Sequence, residues 1–274
     1  MNNLLIGTKN ALVCWDGQKT IVSEGNYYGI TWGSDYVYCS RNPLHNPISL
    51  IDVFDKNLNF MKTLNIPAPL NNVHQILMIN ENLYITYTQK DTLTIFNKKN
   101  IRHLNWTGFE DDKYHLNSIW AKDNKIYVVE SGLGGETRPP TVQVLDKAHN
   151  PISRIAIPDA IHIHNVYIEN NYLYCCGKYG LIQYNLETNK TLIIDLRRDK
   201  ENGFFRGLAR TDDYWYIGES QILPRERRDY GDADILVLNN DFRIVDIIML
   251  KDTGQVQDFR VTDEMDLAHN GIDL

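Results

Sequence analysis

Two histidines, one arginine and two glutamates carry the chemistry this sequence can offer: His74, His164, Arg206, Glu130 and Glu219. An imidazole titrates near neutral pH and can act as a general base. A guanidinium binds a carboxylate through two parallel hydrogen bonds. Two histidines with two glutamates can hold a divalent metal, and two carboxylates across a cleft can hydrolyse a glycosidic bond. Zinc-type ligand spacing is absent around them, so a divalent metal is the lesser alternative as cofactor.

These residues are far apart in the chain, and a repeat is what can gather them. An apolar anchor and a tyrosine eight residues later recur as Ile30 and Tyr38, Ile76 and Tyr84, Ile119 and Tyr127, Val166 and Tyr174, and Leu208 and Tyr216, while Phe259 and Leu267 keep the spacing without the aromatic. Each pair reads as two antiparallel strands around a tight turn. Two residues before the anchors stand Tyr28, His74, Asn117, His164, Arg206 and Gln257. All six are polar, so the inner strand of every repeat switches from core to hydrated surface at one level. In a closed ring they converge at one mouth, which makes His74, His164, Glu130 and Glu219 the catalytic candidates and Arg206, Asn117, Tyr28 and Gln257 the ligand-binding ones.

A symmetric hairpin places Asn117 opposite Val129, Leu116 opposite Glu130, Arg206 opposite Gly218 and Phe205 opposite Glu219. Facing the polar six it sets Ser40, Thr86, Val129, Cys176, Gly218 and Gly7, all small, which leaves room for the polar side chains or a ligand. Arg206 then has two readings. It pairs with Glu219 or Glu130, or it waits for an anionic ligand. His115 and His162 lie one residue out of phase and are expected against the preceding loops.

The anchors lie 46, 43, 47, 42 and 51 residues apart, the size of a four-stranded propeller blade. The expected fold is all-β, a six-bladed propeller in one domain over residues 1–274. No stretch of ten residues shows a helical period. The segment 257–262 supplies the first strand of a closing blade whose other strands are N-terminal (Leu4–Thr8, Ala11–Asp16, Lys19–Ser23), with Met265–His269 as the competing second strand. Long loops at 42–48, 131–140 and 221–232 would wall the mouth, as binding loops on a rigid scaffold do. The run Gly132–Gly135 leads into Pro139–Pro140 and a strand, so it does not make a phosphate loop.

The 274 residues carry a formal charge of −7, which argues against nucleic acid or an anionic membrane as the main partner. No signal-like start and no 18-residue apolar run occur, so a soluble cytoplasmic protein is expected. The four cysteines form neither a zinc pattern nor a disulfide framework.

The chain as a whole resembles six-bladed β-propellers, the broad group that includes NHL-repeat proteins and lactonase-like calcium propellers. Phe205–Asp213, with Ile217–Ser220 and Arg225–Arg228, is similar to a segment of bacterial propeller proteins of no assigned activity. The resemblance implies fold and leaves function to the site. Function is therefore expected to lie in an axial polar pocket for a small anionic or sugar-like molecule, with hydrolase or lyase chemistry, and the alternative is a scaffold for a protein partner.

Overall fold

In the computed structural model the described residues are 2–43, 48–98, 100–108, 112–132, 138–198, 203–224 and 227–269. They form six antiparallel sheets of four strands each, and the fold is a six-bladed β-propeller. In every sheet the innermost strand is buried along most of its length, polar residues included, and the outermost strand is largely exposed. The described residues contain no α-helix, and 3₁₀ turns lie at Thr88–Lys90 and Leu267–His269. No helix there is long and apolar enough to cross a membrane.

The closing blade is built as expected from both ends of the chain. Strand Leu4–Thr8 lies between Val256–Val261 and Ala11–Trp15, with Lys19–Glu24 outermost. Met265–His269 does not enter the sheet. Its last three residues make a 3₁₀ turn, and Asp266 ties it down by accepting hydrogen bonds from the amides of Arg210 (3.2 Å), Val261 (3.3 Å) and Ala268 (3.0 Å).

By backbone contacts the chain falls into two compact units, Met1–Tyr27 with Asp159–Ala268, and Tyr28–Pro158 with His269–Leu274. The first holds the fourth, fifth and closing blades, and its core joins Ala209, Tyr216 and Ile235 to Leu4, Ile6 and Phe259. The second holds the first three blades. There Ile51, Val73, Ile76 and Ile85 form one core cluster, and Leu77, Leu116, Ile119 and Val128 belong to another.

Candidate functional site

In five of the six blades the polar position singled out by the repeat lies at a β-bulge in the innermost strand. In the third blade Leu116 pairs with Glu130 and Ser118 with Val129, which leaves Asn117 as the extra residue. The closing blade pairs Gly7 with Asp258 and Thr8 with Val256, so Gln257 is the extra one. The second, fourth and fifth blades carry the same irregularity between Val73 and Ile76, His164 and Tyr167, and Phe205 and Leu208. His74 and Arg206 thus sit within bulges and His164 begins one. A bulge re-aims a side chain and often stands beside a binding site.

The bulges correct the symmetric register. Beyond each one the pairing is shifted by one residue, so Ile119 faces Val128 and not Tyr127, Leu208 faces Ile217 and not Tyr216, and Ile76 faces Ile85 and not Tyr84. Asn117 and Gln257 face no partner across the ladder, contrary to the expected Val129 and Gly7. The pairs before the bulge, Leu116 with Glu130, Phe205 with Glu219 and His164 with Cys176, are as read from the sequence.

The small residues opposite also acquire a different reason. A bulge takes backbone groups off the ladder, and these still need partners. The Ser40 hydroxyl accepts from Gly29 N at 2.7 Å, and the Thr86 hydroxyl accepts from Gln75 N at 2.8 Å while donating to Gln75 O. Gly218 is small because any Cβ there would collide with the bulged carbonyl of Arg206. Side chains link neighbouring blades at the same level. Gln75 Oε1 accepts from Ile119 N at 2.6 Å, and Asn165 Oδ1 accepts from Gly207 N at 2.9 Å.

In the unit of the first three blades two imidazoles meet. The Tyr28 ring stacks on His74 with centroids 5.1 Å apart, and the His115 ring meets His74 edge-on at 4.7 Å. His115 Nδ1 donates to Asp112 Oδ1 at 2.8 Å, and His74 Nε2 lies 3.1 Å from Asn72 Oδ1. An ionised carboxylate only accepts, so Nδ1 of His115 carries the hydrogen and Nε2 keeps its lone pair in the neutral ring. Both Asn72 and His115 have left-handed backbone, φ 54° and 53°, and each stands two residues before a polar ring position. Buried Asp91 fixes the approach to His115, its carboxylate accepting from the amides of Lys113 (2.6 Å) and Tyr114 (2.8 Å). Burial raises the Asp91 carboxyl above its ordinary range, against these bonds. Asn117, also buried, accepts from the Ser118 hydroxyl at 2.8 Å. His115 was expected against the preceding loop, and it is. Its contact with His74 was missed.

In the other unit His164 lies edge-on to Phe204 with centroids 5.6 Å apart. Arg206 is buried, and it and Asp258 are both within electrostatic reach of the Cys176 thiol, which burial and Asp258 push up and Arg206 pulls down. Asp258 pairs with Arg260 at 3.1 Å. Gln257 donates through Nε2 to Gln255 O at 3.3 Å, and its buried Oε1 accepts no hydrogen bond from the described residues.

Glu130 ends the second strand of its blade and Glu219 stands one residue before the end of its own, and both are held by arginines other than Arg206. Glu130, fully buried, accepts from Trp106 Nε1 (2.9 Å), Arg154 (3.0 Å) and the Thr141 hydroxyl, with Arg138 at 3.7 Å. Glu219 pairs with Arg198 at 2.6 Å, and that arginine also binds Asp234. Arg41 holds the same repeat position in the first blade and pairs with Asp52 at 2.6 Å. No group of three or more His, Cys, Asp or Glu side chains stands ready for a metal ion among the described residues. Residues 44–47, 133–137 and 225–226, within the three long loops and including most of Gly132–Gly135 and part of Arg225–Asp229, lie outside the described residues.

No protein-family model and no curated protein matches the sequence. Solved structures match it throughout. A chain of the nidogen/laminin complex superposes with a TM-score of 0.69 at 9% identity, covering 96% of this chain and 98% of that one. Streptogramin B lyase gives 0.55 at 14% identity over 91% and 87% of the two chains. A DUF4221 family member from Bacteroides vulgatus gives 0.52 at 12% identity over 92% and 88%. At these identities the likeness is one of fold, the six-bladed β-propeller.

Proposed function

We propose that this propeller binds a small anionic or sugar-like molecule and acts on it by proton transfer, with the histidine pair of the second and third blades as the acid–base element. The observation that carries this reading is the sequence of contacts from Asp112 to His115 to His74. Asp112 orients the His115 ring and leaves Nε2 as the base, the same arrangement by which carboxylates orient histidine bases in general. His74 and the stacked Tyr28 hold that ring's edge in place. Removal of a proton next to a carboxylate, or activation of water, is within reach of such a pair and fits lyase or hydrolase chemistry. A base of this kind is worth roughly 10²–10⁴ in rate.

Arg206 and Gln257, in the other unit, are proposed separately as ligand contacts, a guanidinium for a carboxylate and a buried amide acceptor for a hydroxyl. His164 stays a candidate beside them. Glu130 and Glu219 are given a supporting role in this proposal, because their oxygens are already bound by arginine, tryptophan and threonine donors. The second reading, a protein-interaction scaffold, draws on the exposed apolar side chains of the outermost strands, among them Phe60, Leu192 and Val245.

Thermal melts against carboxylated sugars, sugar phosphates and nucleotide sugars test the proposal. Saturable stabilisation by a member of that panel, lost in His115→Gln, supports it. A flat response across the panel shifts the weight to the scaffold.

A further inference from the structure

Near the turn ends of neighbouring blades, in two places, a ring from the chain itself lies between them. Between the second and third blades Tyr84, Ile95 and Arg102 pair in one row across the sheet. The turn Asp146–Asn150 holds three residues between its ends, and the third, His149, has φ 70°. Its ring lies 5.7 Å from that of Tyr84, with Nε2 2.8 Å from the phenol oxygen and Nδ1 3.5 Å from Arg102. Between the fourth and fifth blades the turn Asn239–Arg243 repeats the geometry. Phe242, φ 59°, lies 6.2 Å from Tyr174 and 5.4 Å from Trp215.

Between the first and second blades the corresponding turn is one residue shorter. Asn97 N bonds Asn100 O at 3.0 Å, leaving two residues between the ends and no position for the plugging ring. The row Tyr38, Val53 and Lys62 then faces the row Met78, Leu83 and Phe96 across an open groove of about 490 Å³. That is the size of a small-molecule site, and its mainly apolar lining with a few polar groups suits one. Trp32 forms part of the wall and is fixed by an edge contact to His269 at 4.7 Å, which in turn bonds Thr31 at 3.0 Å.

We propose that this groove binds a small planar aromatic acid, whose ring takes the place that His149 and Phe242 fill in the sister gaps. The charges lining the groove set the polarity of the ligand. Lys62 lies on the outermost strand and Lys98 in the outer turn, whereas Asp35 and Glu81 lie in the inner hairpin turns. Lys62 also holds the register position of Arg102, the cation beside the His149 ring. The acid group is therefore directed to the outer lysines, and a hydroxyl or amino donor at the far end of the ring to Asp35 and Glu81. Burial first, then Tyr36, Asp35 and Glu81, raise the Tyr38 phenol, which keeps it a donor. None of these residues belongs to the histidine site, so the two proposals stand or fall separately.

Saturation-transfer NMR and calorimetry with 4-hydroxybenzoate, benzoate and terephthalate test this on the intact chain. Saturable binding of 4-hydroxybenzoate is expected, with terephthalate weaker because its second carboxylate meets Asp35 and Glu81. Lys62→Glu should weaken 4-hydroxybenzoate by about tenfold or more, the effect of one lost charge contact. Gly33→Phe fills the groove from within and should abolish binding. A Cβ on Gly33 would make ordinary contacts with Tyr38 (3.6 Å) and Met78 (3.8 Å), and its backbone is not left-handed. Absence of saturable binding to the wild type, or binding that survives both substitutions, or terephthalate binding as tightly as 4-hydroxybenzoate, would overturn the proposal.

Discussion

The rings of His74 and His115 meet edge-on at 4.7 Å although the residues stand 41 positions apart in different blades. Each is set by a bend in the backbone just before or at the inner strand, left-handed at Asn72 and His115 and bulged at His74. Asp112 completes the arrangement from the loop. His115→Gln should leave the melting temperature within a few degrees of wild type, since one partly exposed side-chain hydrogen bond contributes little. A drop of more than about ten degrees would mean that the pair holds the loop rather than serving a ligand.

Deleting residues 1–8 removes the strand between Val256–Val261 and Ala11–Trp15. Both neighbours lose a ladder partner and two sheet edges open. The truncated chain is expected to be insoluble or to melt far below the parent by circular dichroism. Parent-like melting would contradict the closure.

Much of this fold was legible in the sequence because burial imposes regular periods. The anchor-and-tyrosine spacing marks one hairpin per blade, and the blade length follows from it. The polar positions were legible too, but their geometry was not. A bulge adds one residue without changing composition, so the spacing from Ile119 to Tyr127 is the same whether the hairpin is symmetric or shifted. The left-handed turn at His115 likewise carries no mark in a single sequence, and it rotates a ring that alternation alone places out of phase. Asp112, three residues earlier, was the available signal, since a carboxylate at that spacing can reach back to the imidazole.

The glutamates differ from Arg206 in what their partners do. Arg198→Ala leaves Glu219 and Asp234 without their shared cation, and a loss of about 1–3 kcal/mol is expected, reduced by the partial exposure of the arginine. Arg206→Ala should instead abolish stabilisation by carboxylated compounds. Urea denaturation with and without such compounds separates the two effects. Equal ligand responses in wild type and Arg206→Ala would remove the anion-binding role.

Asp266 gives the protein a pH dependence of definite sign. Burial pushes its carboxyl up to about 6, against the opposing pull of Arg260 and three backbone amides. The unfolded chain has an aspartate near its ordinary value, about 3.9. Between those values the folded state binds more protons, so this group's contribution to stability is largest at low pH and falls as pH rises to about 6. The difference amounts to about 3 kcal/mol. Urea melts of wild type and Asp266→Asn from pH 4 to 7 should diverge accordingly, with the wild type losing stability relative to the variant as pH rises. Parallel curves would show that Asp266 titrates normally.

The most direct test of the histidine site is a ring-resolved NMR titration of His74 and His115 with carboxylated sugars, sugar phosphates and nucleotide sugars. The site described here predicts that at least one of these compounds shifts both ring resonances along one saturating curve, and that His115→Gln weakens the effect on His74. Rings that stay unmoved by every compound, or move only in proportion to concentration without saturating, would contradict a ligand site at this pair.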